Sequence, residues 1–244
     1  MKDLLPTARD VKVIAFKAQR RKNLLPEHAV LTSVLNSEIT NLREALFAEK
    51  DEEERKTLNA QLHDALVRKR NHEEEGFESL ALELRNYIVD QPGRIRLYHR
   101  TRPEDGRQLM RFESRRRITT LFDRYVALLL TRTFQVKLHG RDQLIRSLLN
   151  TLRITVRGAK SKAHRSVIQL DITEFFGSID HEVLLKKLRS HAGVPRFALR
   201  HVESILDAYS RITGRRVGLP QGVPSSSVLS EIYLENLDHS LKRH

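Results

Sequence analysis

Cysteine is absent from the 244 residues, so neither a disulfide framework nor a thiolate-ligated zinc site is available, and a reducing cytoplasm is the expected compartment. Long apolar runs are also missing. No stretch approaches the roughly 20 apolar residues that a membrane-spanning helix needs, and Met1 to Asp10 lacks the apolar centre of a signal peptide, so no membrane insertion is expected. The 11 histidines are scattered, with no pair at metal-ligand spacing beside carboxylates. No Ser-His-Asp arrangement, no Gly-x-x-x-x-Gly-Lys phosphate loop and no Asp-Asp pair occurs anywhere. With 39% hydrophobic residues, the chain can bury one good-sized core, or one core and a helical appendage.

Positive charge is present in excess, and it is localised. The formal net charge is +13. Between Arg94 and Arg165 there are 19 Lys and Arg against 5 Asp and Glu, while the rest of the chain holds 25 against 26. A basic block flanked by neutral sequence fits the electrostatic footprint of a phosphate backbone; a solvated basic face is the alternative. Within the block, Arg115-Arg116-Arg117 is too short for a targeting signal and suits phosphate contact or solvation.

Pro26 to Asp90 reads as helical, with apolar residues at Leu31, Leu35, Ile39, Leu42 and Leu46, and again at Leu58, Leu62 and Leu66. The charged run Glu49 to Arg55 predicts a polar bend between two long antiparallel helices, and a third helix is expected over Phe77 to Val89. Pro92-Gly93 breaks the pattern, which places the domain boundary there: a helical N-terminal region, 1–93, and a second domain, 94–244. Arg94 to Phe112 predicts a β-hairpin, with Ile95 and Leu97 alternating with Arg94, Arg96 and Tyr98, a turn over Arg102 to Gly106, and Leu109 and Phe112 on the return strand. Ile118 to Phe134 predicts a buried helix and Leu144 to Leu152 another.

Two stretches could carry chemistry. In Ser166-Val-Ile-Gln-Leu-Asp171-Ile-Thr-Glu-Phe-Phe176-Gly-Ser-Ile-Asp180-His181, alternating Ile168, Leu170 and Ile172 predict a half-buried strand with Asp171 at its end, facing away from the core. A carboxylate there suits a hard divalent cation such as Mg²⁺, although strand-end aspartates also serve as turn-formers and caps. In Val217-Gly-Leu-Pro-Gln-Gly-Val-Pro-Ser-Ser226, two glycines and two prolines predict an irregular loop, and Ser225, Ser226 or Ser227 can cap the helix that follows. Gly218 and Gly222 permit close approach of a ligand and Gln221 offers both donor and acceptor; a rigid loop between elements is the plainer explanation.

Together these stretches resemble motifs A and B of reverse transcriptases: Asp-x-x-x-Phe-Phe/Tyr-x-Ser-Ile-Asp/Asn from Asp171 to Asp180, and Gly-Leu-Pro-Gln-Gly-x-x-x-Ser from Gly218 to Ser226. The resemblance is specific over about 166–240, looser over the basic hairpin and helix before it, and absent from the N-terminal helices. It implies an α+β fold, the fingers and partial palm of a right-hand polymerase behind a long-helix N-terminal region. Asp171 would be the first catalytic carboxylate, binding both Mg²⁺ ions with the main-chain carbonyl of Ile172 as a further ligand. Thr173, Glu174 and Phe175 would line the triphosphate through backbone amides, and Phe176 would occupy the steric-gate position that excludes a ribose 2′-hydroxyl. Gln221, with Gly222 beside it, would contact the incoming nucleotide, Arg107 and Arg111 would grip its triphosphate, and Arg94, Arg96, Arg100, Arg115 and Arg116 would meet nucleic acid.

The activity so implied is RNA-directed DNA synthesis, extending a DNA or RNA primer on an RNA template with deoxynucleoside triphosphates by two-metal phosphoryl transfer. That chemistry needs a second carboxylate pair. In the family it is a Tyr-x-Asp-Asp hairpin after motif B, which this sequence lacks, so the expectation is a truncated polymerase whose pair comes from a longer chain or a partner. A non-catalytic nucleic-acid-binding or assembly subunit with a degenerate palm is the alternative. Asp180 and Asp238 are expected to be structural or capping residues, and His181 to cap or pack. The Ser-Ser-Val-Leu-Ser-Glu231-Ile-Tyr-Leu run looks most like bacterial defence-associated and abortive-infection enzymes, with retron and group II intron types sharing much of the pattern. The N-terminal helices are expected to dock a partner protein, an RNA or a second copy of the chain, or simply to pack.

Overall fold

The computed structural model describes residues 5–18, 26–90, 95–102, 108–113, 117–136, 146, 147, 149, 150, 153 and 172–241, the side chains of 15–18, 26–31, 108 and 236–241 excepted. The chain divides into two compact units, one formed by Met1–Arg94 with Ser114–Tyr125, the other by Ile95–Glu113 with Val126–His244.

The first unit is helical: α1 (Ala8–Ala18), α2 (Pro26–Ala48), α3 (Glu52–Asp90) and the first half of α4 (Arg117–Thr133). Local chemistry sets the ends. Thr7 and Asp10 cap α1 reciprocally, the Thr7 N–H donating to the Asp10 carboxylate at 3.1 Å and the Asp10 N–H to the Thr7 hydroxyl at 3.2 Å. At the α2–α3 corner, the Glu49 carboxylate accepts from the Asp51 and Lys50 N–H groups, which hold its pKa below the ordinary range. Asp51 Oδ1 then accepts from the N–H groups of Glu53 and Glu54 at 2.9 and 3.0 Å, and Glu52, Glu53 and Glu54 suit the positive end of the α3 dipole.

Two expectations are corrected here. No separate helix begins at Phe77, because α3 runs on for 39 residues with Gly76 buried inside it. One internal glycine costs about 1 kcal/mol, and the burial of Phe77, Leu80, Leu84 and Ile88 on the same face outweighs it. Nor does the apolar stripe run through Leu66, which is 39% exposed while its neighbour Ala65 is fully buried. A row spaced strictly by four residues turns about 40° per step around a 3.6-residue helix, so the buried line drifts off it. Leu35 and Ile39 of α2 are buried as expected, and Arg68 joins the two helices through Glu38 at 2.6 Å in a half-exposed pair of small energetic weight. The Tyr87 and Phe122 rings, 5.2 Å apart, pack α3 on α4.

The second unit holds the hairpin β1 (Leu97–Thr101) and β2 (Gln108–Phe112), antiparallel, with Leu97 opposite Phe112 and Thr101 opposite Gln108. Residues 103–106 of the expected turn, and Arg107 after it, lie outside the described residues. Period-two alternation sends Leu97, Met110 and Phe112 into a core with Ile205, Ala208 and Val223, leaving Tyr98, Arg100, Leu109 and Arg111 on the opposite face. Among the described residues, motif A contains α5 (Phe175–Ser178), and α6 (His181–Ser190), α7 (Arg196–Thr213) and α8 (Ser226–Leu241) follow it. The motifs alone predict no element between His181 and Val217, yet α6 and α7 fill the interval. Helix α7 buries Ala198, Val202, Ile205 and Leu206 along one face and stops at Gly214, whose φ of +71° suits a C-terminal glycine. Helix α6 packs on α7 and α8, with its Leu184 and Leu188 fully buried. The strand expected before Asp171 lies outside the described residues; of the helix expected over 144–152, residues 146, 147, 149 and 150 are helical.

Candidate functional site

Motif A leads out of Asp171, itself outside the described residues, through the exposed Ile172 into a turn at Thr173 and Glu174. Glu174 is left-handed, at φ 48° and ψ 35°, and its carbonyl accepts the Gly177 N–H at 2.8 Å, which starts the single turn of α5. A non-glycine residue in that region needs its surroundings to hold it. The rings of Phe175 and Phe176 meet edge to face at 5.9 Å, both half-buried. Asp180 caps α6, its Oδ1 accepting from the Glu182 and Val183 N–H groups at 2.8 and 2.9 Å. That carboxylate is structural, as expected. Side-chain placement at Asp238 lies outside the described residues.

Motif B is laced to motif A through main-chain atoms. The Gly218 N–H donates to the Ile179 carbonyl and the Leu219 N–H to the Phe176 carbonyl, each at 2.7 Å, and the His181 N–H reaches Arg216 O at 3.3 Å beside an antiparallel bridge between Asp180 and Val217. Buried His181 adds a side-chain link: its Nε2 lies 2.6 Å from the Gly218 carbonyl, and its Nδ1 lies 3.3 Å from Ser210 Oγ on α7. Gly218 has φ +92°, and a Cβ there would stand 3.2–3.3 Å from Tyr209 Cε1 and the carbonyls of Gly177 and Phe176. Glycine is needed on both counts.

At its far end the same loop sits on the hairpin. The Met110 N–H donates to the Gln221 carbonyl at 2.7 Å, and a Cβ on Gly222, at φ +95°, would come within 3.0 Å of Leu109 Cβ and 3.1 Å of Met110 O. Beyond it, Ser226 Oγ donates to Pro220 O at 2.7 Å, folding the loop back on itself, while the Ser225 carbonyl accepts from Val228 and Leu229 to open α8. Of the three serines expected to cap, Ser226 therefore closes the loop. The structure thus brings Phe176, Gln221, Gly222 and the strand bearing Arg111 into one hydrogen-bonded frame.

A model of the family described as reverse transcriptase (RNA-dependent DNA polymerase) matches residues 105–244, more than half of the chain. The chain belongs to the reverse transcriptase family. No curated protein and no solved structure matches it significantly. Membership implies a polymerase palm and fingers, an RNA template and nucleotide substrates, and the mainly helical unit with its small hairpin agrees with an α+β reverse-transcriptase domain. The basic hairpin lies within or beside the matched span. Among the described residues no helix is long and apolar enough to cross a membrane.

Arg100 and Arg111 share the hairpin face turned from the core, diagonal to one another across the strands, with Arg111 opposite Tyr98. Arg111 Nε is buried with no hydrogen-bond partner among the described residues. Arg96 is exposed at the start of the hairpin, 3.9 Å from Glu113. Arg94, Arg107, Arg115 and Arg116 lie outside the described residues. No group of three His, Asp or Glu converges as a metal site among the described residues, which exclude Asp171. The donors that remain, the Asp171 carboxylate and the carbonyl of the exposed Ile172, are oxygens and suit Mg²⁺ in kind. Sequence reasoning passed over Met110, Tyr209 and the Gly218 contact of His181, because each acts through a neighbour distant in the chain.

Proposed function

We propose that this chain forms the fingers and front palm of an RNA-directed DNA polymerase that extends a primer 3′-hydroxyl with deoxynucleotides. The observation that supports this best is the lacing of the Phe176 turn to the Gly218–Gly222 loop, with that loop seated on the arginine-bearing hairpin. These are the three segments that a nucleotide site of the family needs side by side. In this reading Asp171 and the Ile172 carbonyl hold Mg²⁺, which when bound supplies charge for activating the 3′-hydroxyl and stabilising the triphosphate. The chain's own residues do the selection. The Phe176 ring, supported by Phe175, bounds the space beside the sugar, Gln221 meets the nucleotide, and Arg111 and Arg107 hold its phosphates. Arg94, Arg96, Arg100, Arg115 and Arg116 track the template-primer backbone. The Glu231 region supports a place among bacterial defence enzymes, and the N-terminal helices would carry a partner or a second copy.

No Asp-Asp pair occurs in these 244 residues, so synthesis requires that pair from elsewhere. Primer extension on an RNA template with Mg²⁺ and deoxynucleotides tests this, comparing this chain, an extended chain carrying a Tyr-x-Asp-Asp hairpin, and the extended chain with Asp171→Ala. Extension only by the unmutated longer chain is expected. Salt-sensitive RNA binding without extension by any of them would instead identify a non-catalytic binding subunit.

A further inference from the structure

His181 is a buried titratable group that the proposed chemistry does not use. A carbonyl oxygen can only accept, so the 2.6 Å contact with Gly218 O requires the proton on His181 Nε2. In the neutral ring Nδ1 then accepts from the Ser210 hydroxyl at 3.3 Å, which ties the imidazole to α7. The ring is thereby oriented from behind and presents a fixed donor to the loop in front, an arrangement in which one hydrogen bond sets the tautomer that makes the other. The loop it holds is the one whose next residues include Gln221 and Gly222, already pinned at the far end by the Met110 N–H.

We propose that His181 is a positioning residue of the nucleotide site: through the Gly218 carbonyl it holds the turn that presents Gln221, while α7 holds His181 through Ser210. This rests on reading the Gly218–Gly222 loop as part of a nucleotide site. His181 touches no substrate. Loss of its donor leaves the Gly218 carbonyl in a buried setting without its partner, so the loop opens more often while the helices behind it stay formed.

The test compares His181→Leu with His181→Gln, which retains a side-chain N–H donor, by residue-resolved hydrogen exchange and by titration with a fluorescent dGTP and Mg²⁺. In the Leu variant the Gly218 and Leu219 amides should exchange about ten-fold faster, equivalent to about 1.4 kcal/mol, with α7 amides unchanged. The nucleotide Kd should rise by a comparable factor, about five- to ten-fold, and the Gln variant should recover most of both. If the Leu variant fails to fold, His181→Asn takes its place, being too short to reach Gly218 while able to meet Ser210. Unchanged exchange at Gly218 and Leu219, or no recovery with glutamine, would overturn the proposal. If the unmutated chain binds no nucleotide, the nucleotide-site reading falls, and exchange alone decides whether His181 positions the loop.

Discussion

The carbonyl oxygen of Phe176 stands 3.3 Å from the point where a Cβ on Gly218 would lie, and the neighbouring Leu219 N–H donates to that same oxygen at 2.7 Å. Phe176, proposed above to gate the sugar, and the glycine that opens motif B are therefore held face to face through main-chain atoms. Even the smallest side chain would crowd this contact. Gly218→Ala combines a positive φ with close approach to two backbone carbonyls, and should destabilise the fold by about 2–3 kcal/mol. Urea unfolding of the variant measures this, and a midpoint equal to that of the unmutated chain would count against the contact.

Asp180 tests the division between structural and chemical carboxylates. Asp180→Ala removes the acceptor for the Glu182 and Val183 N–H groups and should cost about 1 kcal/mol, with Asp180→Ser recovering part of it. Nucleotide affinity should stay unchanged in both variants. A large loss of affinity at full stability would move Asp180 into the site.

Arg111 carries a stability-function trade. Its buried Nε lacks a partner among the described residues, so Arg111→Met should leave the unfolding midpoint unchanged or raise it. The same variant should weaken triphosphate binding, and Arg111→Lys should not restore it, because an ammonium does not reproduce the planar two-point contact of a guanidinium. The Kd for deoxynucleoside triphosphate and a urea curve, measured on the same samples, check both halves.

Phe176→Ala should open the space beside the sugar and lower the preference for deoxynucleotides over ribonucleotides by about ten-fold or more. Competitive titration with dGTP and GTP reads this without requiring synthesis. An unchanged ratio would remove Phe176 from the gating role.

Tyr209 contributes a pH dependence. Burial against the motif B loop pushes its phenol above the ordinary tyrosine value, so the folded state keeps this proton where the unfolded chain releases it. Stability from this group is fully present below a pH of about 10 and is lost as pH rises through the raised folded value. In an ultraviolet absorbance titration, Tyr209→Phe should remove one late-titrating phenol.

Much of the site was legible because its parts are short and contiguous. Asp171 to Asp180 and Gly218 to Ser226 each carry their pattern within about ten residues, where turn glycines, paired aromatics and capping serines are local requirements of the backbone. The hairpin was legible for the same reason: a strand's period of two shows which side chains share a face, and Leu97, Phe112 and Arg111 fell as alternation places them. Helix α7 carries an equally regular pattern, but no local motif marks it.

From the sequence itself came the charge block, the hairpin faces, the Asp180 cap and the family, since composition, period and local hydrogen-bond chemistry are properties of neighbouring residues. Only tertiary structure could decide that α3 continues through Gly76, because about 1 kcal/mol of helix propensity yields to the burial of Phe77 and Leu80. Likewise, the pairings of His181 with Gly218 and of Gly222 with Leu109 span 37 and 113 positions. A contact between residues so far apart leaves no trace in the period of either segment; it exists because packing closes the loops between them, and packing is a property of the whole chain.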